Sequence, residues 1–249
     1  RLSTMVEQAL LMTEDGLNVN QAVNSIFSEI DSLKEGNAWI GNAYDQVVNV
    51  ANGAAPAFDN AFAVLVHDLP AAMIKVAAGR SNMNLADATT KGEANESEIM
   101  ISIEASNAGD VLEWKTETIE QKRSTIQSLY DDKIEPTMDE YKNRIDAMDW
   151  SGEYADLDKD AAKRYASTVQ TKCRDIIYAM SAAFTAQSAL VAAQQAAGVI
   201  QEGVDTVIST VDGLAKQAHD AWQGLQEQIG ERTETLVQDA FDTTTGKRG

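Results

Sequence analysis

The chain has 249 residues, of which 44% are apolar and only 3 are proline, so it can bury a core and favours long helices. Its formal net charge is −19, from 39 acidic and 20 basic side chains. An acidic surface repels phosphate groups, so we expect no nucleic-acid partner and no binding to anionic membrane surfaces. The single cysteine, Cys173, excludes an internal disulfide, and its apolar neighbours at helical spacing predict a buried side chain.

Apolar residues recur at helical spacing through most of the chain, which predicts an all-α fold. The first helix is predicted over residues 3–34, with a kink or break near 16–20 where Gly16 interrupts the pattern. A second helix begins after the next turn. It is expected to restart at Pro56, since proline suits a first helical turn, and to bend at Pro70.

A connector is predicted next, because glycine, asparagine, serine and threonine are concentrated over residues 79–109. Within it, the alternation near 97–105 favours a short strand or a β-ribbon arm. Such an element needs a partner strand, from residues 81–90 or from another subunit.

The second half of the chain repeats the helical pattern. Asp110 and Glu113 have the spacing of a capping box, which predicts a helix over 110–148 that bends at Pro136. A long helix that becomes rich in alanine is predicted over 153–197. A third apolar pattern, interrupted by glycines, predicts a helical extension at the C-terminal end.

Three of the four tryptophans have a glycine two residues further along the chain. The pairs are Trp39 with Gly41, Trp150 with Gly152, and Trp222 with Gly224. The first two pairs lie between helical patterns, as expected for the turn of a helical hairpin, where glycine tolerates a tight backbone and tryptophan closes the groove. The third pair continues a helical pattern, so it is either a turn or an ordinary buried tryptophan.

A Trp-x-Gly turn between two long helices resembles the WXG100 (ESAT-6-like) family of type VII secretion, and this chain resembles two such hairpins in tandem. The resemblance implies long hairpins that form a four-helix bundle or a coiled coil. It divides the chain into a first hairpin (1–79), a connector (80–109), a second hairpin (110–197) and a helical tail (198–249).

The resemblance also implies a function. The chain is expected to be a non-enzymatic secretion substrate, or an effector-targeting or carrier domain, from a Gram-positive bacterium. Its partners would be the secretion machinery or a WXG100-like protein, bound through apolar helix faces. It would be cytoplasmic before export, then secreted or held at the cell surface, by a leaderless route because its first residues lack a signal-peptide core.

Members of the family commonly carry a Tyr-x-x-x-Asp/Glu export signal after the second helix of a hairpin. Tyr154 and Asp158 have this spacing here, but they directly follow Trp150-Ser151-Gly152 and so lie at the other end of that helix. A signal on a partner, or elsewhere in the protein, is the alternative.

No pattern in the sequence predicts a catalytic, cofactor or metal site. Asp156, Asp158 and Asp160 alternate like the start of a calcium-binding loop, but alanine and serine replace its required glycine and glutamate. An acidic first helical turn explains them better. His67 and His219 are isolated, and no nucleophile or phosphate-binding motif is present.

Two other functions stay open. One is an α-helical membrane-active, pore-forming toxin in which the alanine- and glycine-rich segment 182–215 enters a bilayer, although glutamine and acidic residues interrupt it. The other is a structural coiled coil that forms an extended homo-oligomer without a separate partner.

Overall fold

The computed structural model describes residues 2–77, 111–148 and 153–196, which form four long helices and two short strands. Helix α1 spans Leu2–Glu35, helix α2 spans Asn42–Ala77, helix α3 spans 116–146 and helix α4 spans Glu153–Ala196. Strands β1 (Trp39–Gly41) and β2 (Val111–Trp114) pair antiparallel. The predicted all-α fold of long helical hairpins is confirmed.

Helices α1 and α2 form the first hairpin. The Tyr44 hydroxyl, early in α2, donates to the carbonyl oxygen of Ile30, late in α1, at 2.8 Å. Near the other end, the Thr13 hydroxyl donates to the carbonyl oxygen of Val66 at 3.1 Å. The two helices are therefore antiparallel along their length.

Helices α3 and α4 form the second hairpin in the same way. Arg174 of α4 donates to the Tyr130 hydroxyl of α3 at 2.9 Å. The Lys163 ammonium of α4 lies 2.9 Å from the Asp146 carboxylate at the end of α3. These contacts make α3 and α4 antiparallel.

The two hairpins pack into one bundle. Helix α1 runs antiparallel to α3, since Lys122 pairs with Glu29 at 2.8 Å and Arg144 pairs with Asp15 at 3.3 Å. Helix α2 packs along α4. Each helix therefore contacts two antiparallel neighbours, and the α1–α2 connection lies at the opposite end of the bundle from the end of α3.

One continuous apolar core is shared by the described parts of both hairpins. It contains the fully buried side chains of Val23 from α1, Phe58 and Phe62 from α2, Ile134 from α3 and Val169 from α4. The phenyl rings of Phe58 and Phe62 stack at a centroid distance of 6.2 Å. Because each hairpin supplies part of the same core, neither hairpin buries its apolar stripe alone.

The predicted break in the first helix is wrong. Helix α1 is continuous through Gly16, which lies directly against α2. A Cβ added to Gly16 would be 2.9 Å from Val66 Cγ2, closer than carbon atoms pack. Glycine at this position therefore permits close approach of two helices within a continuous helix α1.

The predicted restart at Pro56 is also wrong. The α-helical segment Asn42–Phe62 passes through Pro56 without interruption. Pro56 lies on the exposed side of the helix, where a missing N–H donor is tolerated more easily than in the core. Burial of the following Phe58 holds the segment in the bundle.

The prediction that Asp110 and Glu113 form a capping box at the start of a helix is wrong as well. Residues Val111–Trp114 form strand β2, and the helix begins at Thr116. Strand β2 pairs with β1, so that Trp39 lies opposite Trp114 and Ile40 lies opposite Glu113. Backbone pairing with a distant segment replaces the first helical turn that local spacing predicted.

Pro70 and Pro136 each follow a short π-helical segment. These segments are Ala63–Asp68 in α2 and Leu129–Ile134 in α3, and each ends two residues before the proline. At the end of each segment, a backbone N–H donates to a carbonyl oxygen five residues earlier in the chain. Leu69 donates in this way to Val64, and Glu135 donates to Tyr130. The wider turn accommodates a proline inside a long helix.

Pro70 leaves backbone carbonyl groups in the preceding turn without an N–H donor, and side chains of neighbouring helices supply donors in its place. Residue 70 would donate to Val66 in an α-helix or to Leu65 in a π-helix, but proline has no N–H. Thr13 of α1 donates to the Val66 carbonyl oxygen, and Tyr141 of α3 donates to the Leu65 carbonyl oxygen at 2.6 Å. Both acceptors in the core are thereby satisfied.

Several predictions lie outside the described residues. These are the strand or ribbon near 97–105, the whole connector 80–109, and the helical tail 198–249. The division of the chain at these boundaries remains a prediction.

Candidate functional site

The connection between α1 and α2 is the part of the described chain that carries a Trp-x-Gly pair. Trp39 is completely buried there. Its indole ring packs against Tyr44 and Trp114 at centroid distances of 5.6 Å each. Its Nε1–H donates to Oε1 of Gln187, which is also fully buried, in α4. Trp39 therefore joins the first hairpin to the second.

The aromatic contacts continue from Trp39 across the end of the bundle. Trp114 stacks on Phe184 of α4 at a centroid distance of 5.3 Å, and the Arg123 guanidinium lies 4.2 Å from the Phe184 ring centroid. Arg123 also donates to the Ser181 hydroxyl at 3.1 Å. Burial lowers the pKa of Arg123, but a guanidinium remains charged at neutral pH. The row of rings holds α3, α4 and the strand pair together.

The tight part of this connection precedes the tryptophan. Helix α1 ends with Gly36 N–H donating to the Ser32 carbonyl, and Asn37 adopts a left-handed conformation with φ of 52°. Asparagine tolerates that conformation better than most residues. Gly41 is extended, with φ of 167°, and forms the last residue of β1. Its φ angle alone does not require glycine.

Of the other predicted motif residues, Tyr154 and Asp158 belong to the part of the chain that the structure describes. Trp150, Gly152, Trp222 and Gly224 lie outside the described residues. Tyr154 lies near the start of α4, and Asp158 follows one turn later with a half-buried side chain. The export-signal spacing thus falls at the beginning of α4, as the sequence indicated.

The acidic and histidine positions are placed within helices. Asp156, Asp158 and Asp160 belong to the continuous helix α4, which excludes a looped calcium site at these residues. His67 Nδ1 lies 2.8 Å from the adjacent Asp68 carboxylate. Within the described ranges, no group of three or more His, Cys, Asp or Glu side chains could hold a metal ion.

Cys173 is fully buried in α4, which confirms its predicted place on an apolar helix face. Burial raises the pKa of the thiol well above its usual range. The neutral thiol is a poor nucleophile.

A cavity of about 630 Å³ lies at the opposite end of the bundle from Trp39. Its apolar lining comes from Met5 of α1, Met73 of α2, and Ala147 and Met148 after α3. Thr4, Gln8, Glu140, Asn143 and Arg144 supply its polar lining. This volume is within the range of roughly 300–1,000 Å³ typical of ligand sites.

Arg144 organises one wall of that cavity. Its guanidinium donates to Glu140 at 2.8 Å and to Asp15 and Gln8 at 3.3 Å each. Burial raises the pKa of Asp15 despite the neighbouring guanidinium. Among the lining side chains, Glu140 and Arg144 carry charge, and Asp15 holds the same guanidinium from outside the lining.

No protein-family model, curated protein or solved structure matches this chain.

Sequence reasoning missed the partners of Trp39. Trp114 is 75 positions away in the chain, and Gln187 is 148 positions away, so no local pattern connects them. One signal was present for Gln187. It interrupts the alanine-rich stretch of α4 at a position that follows Ala183 at helical spacing, and a polar side chain on a buried face needs a partner.

Proposed function

We propose that this chain is a non-enzymatic helical protein of a type VII secretion system in a Gram-positive bacterium. It is either a secretion substrate, or an effector-targeting or carrier domain that pairs with one. The observation that carries the proposal is the α1–α2 connection, in which Trp39-Ile40-Gly41 joins two long antiparallel helices. The WXG100 resemblance implies this arrangement of motif and helices.

The internal pairing of two hairpins supports a carrier function. WXG100-like proteins pair hairpin to hairpin, and here two hairpins from one chain share a core. Among the described residues, Leu10 and Tyr178 are the large apolar side chains that remain exposed, at 37% and 49%. The lateral faces of the bundle are therefore mostly polar, and contacts with secretion partners are expected at its ends.

Export from cells tests the proposal. The chain, with an epitope tag, is expressed in a Gram-positive strain with an active type VII system and in the same strain lacking the motor ATPase. We expect the chain in the culture supernatant of the first strain alone, with a cytoplasmic marker retained in both. Equal amounts in the two supernatants, or none in either, would contradict type VII export.

The same assay separates two locations of the export signal. If Tyr154 and Asp158 form the signal, Tyr154→Ala abolishes export while the matched change Tyr178→Ala, in the same helix, does not. Export of both variants would assign recognition to another segment or to a partner.

A membrane-active protein is the second candidate, and one observation favours it. Within the described ranges, two helices, Asn42–Ala77 and Asp158–Ala192, are long and apolar enough to cross a membrane. A core helix of a soluble bundle has the same composition, and 61% of the most apolar window of the first is buried. Leakage of a dye from zwitterionic and anionic vesicles distinguishes the two functions, since a carrier leaves vesicles intact.

A further inference from the structure

We propose that the methionine-lined cavity at the end of the bundle receives apolar side chains from a basic amphipathic helix of a partner protein. This inference rests on the proposed function and names the partner's chemistry. The cavity lies where α1 begins and where α2 and α3 end, with Met5, Met73 and Met148 in its lining.

The methionine side chains that line the cavity can adapt to partner side chains of differing shape. Methionine is unbranched and polarizable, so it adapts to irregular apolar partners. Met73 is fully buried and Met148 is 8% exposed, while Ala147 is exposed at the rim. A cavity of about 630 Å³ bordered by polar side chains matches the general mode in which apolar anchors of a helix enter a groove.

The acidic side chains near the cavity and the net negative charge of the chain favour a basic partner. Glu140, whose side chain is 59% exposed, and Asp15 face a single guanidinium, Arg144. The whole chain carries a net charge of −19, which repels a second copy and attracts a basic helix over a distance. An acidic partner would be repelled on approach, and the Arg144 guanidinium that it would need at the cavity already donates to Glu140, Asp15 and Gln8.

The test uses the full chain and a designed probe, a helical peptide of leucine and lysine about 15 residues long. Binding is measured by isothermal titration calorimetry. In Ala147→Trp, an indole at the rim fills the cavity. We expect the affinity for the peptide to fall at least about tenfold. Gln121→Trp, an exposed position at the other end of α3, is the matched control and should leave the affinity unchanged.

Two further arms test the apolar and charged parts separately. Thr4→Trp blocks the cavity from α1 and gives a second blocking variant if Ala147→Trp fails to fold, which circular dichroism would reveal. Glu140→Gln should weaken the lysine peptide by about twofold to fivefold, as expected for a rim charge, and leave a leucine–glutamine peptide unaffected.

Several results would overturn the inference. These are no binding to the wild type, equal binding to the blocked and control variants, or equal binding of the lysine and glutamine peptides. If an alkyltrimethylammonium probe binds to the chain and the peptide does not, the cavity is a site for a small cationic amphiphile instead. Export is measured separately, so an exported chain with no cavity binding refutes only this inference, and cavity binding without motor-dependent export refutes only the proposed function.

Discussion

At the scale of single residues, hydrogen bonds to the Pro70 region connect three helices. Tyr141 of α3 is fully buried and its hydroxyl donates to the Leu65 carbonyl oxygen of α2 at 2.6 Å. Burial raises the pKa of this phenol, so the hydroxyl keeps its proton and remains a donor through neutral pH. Without it, the carbonyl oxygen would be buried with no donor from residue 70.

Removal of that hydroxyl should destabilise the bundle. We expect Tyr141→Phe to lower the free energy of unfolding by about 1–3 kcal/mol, because it leaves a buried acceptor unpaired. Urea denaturation followed by circular dichroism measures the change. Tyr178→Phe makes the same chemical change at a side chain that is 49% exposed, and should change stability by less than about 0.5 kcal/mol. Equal effects of the two substitutions would refute the assigned role of Tyr141.

At the scale of helices, two glycines in similar elements have opposite surroundings. Gly16 of α1 lies where a Cβ would be 2.9 Å from Val66 Cγ2, whereas a Cβ on Gly53 of α2 would meet nothing within 4 Å. Gly16→Ala should destabilise the protein by about 1–3 kcal/mol through overpacking. Gly53→Ala should stabilise it by up to about 1 kcal/mol through helix propensity.

Thermal and urea unfolding of the two variants measure this difference directly. Each adds the same methyl group at a helical glycine, so each serves as the control for the other. Stabilisation by both substitutions would mean that α1 and α2 do not approach closely at Gly16.

Helix periodicity was enough to predict the main elements, because each helix buries a repeating apolar stripe. It did not predict strand β2, since Val111–Trp114 is extended through pairing with β1 and not through its own sequence. It also misassigned Gly16 and Pro56. A glycine or proline weakens an isolated helix, but packing in the bundle overrides that preference, since Gly16 lies against α2 and Phe58, which follows Pro56, is fully buried.

The candidate site was predictable only in part. The Trp39–Gly41 pair was found from its spacing, and its place between two helices follows from the flanking periodicity. The partners of Trp39 depend on how two hairpins meet, which a local pattern does not encode. The end cavity is likewise formed by the start of α1 and the ends of α2 and α3, which lie far apart in the chain.

At the scale of the whole molecule, one chain supplies both hairpins of a four-helix bundle. Over the residues that the structure describes, the lateral surface of the bundle is mostly polar, and the two ends differ in character. One end is closed by Trp39, Trp114 and Phe184, whereas the other contains the methionine-lined cavity. This arrangement places an apolar cavity at one end, and the net charge of −19 opposes self-association, as the carrier function that we propose would require.

Cross-linking between α1 and α3 tests most directly whether the bundle forms within one molecule. Cysteines replace Glu29 and Lys122, whose charged groups lie 2.8 Å apart, and a short bismaleimide is added. Cys173 is fully buried and its thiol pKa is raised, so it should not react. The control pair, Glu29→Cys with Glu140→Cys, places the second thiol about 27 Å further along α3.

We expect the first pair to cross-link within the monomer, to the same extent at low and tenfold higher protein concentration, and the control pair to remain unlinked. Mass spectrometry identifies the linked peptides, and denaturing gel electrophoresis separates monomers from dimers. Cross-linked dimers that increase with concentration, in place of the internal link, would contradict the intramolecular bundle and favour a coiled-coil oligomer.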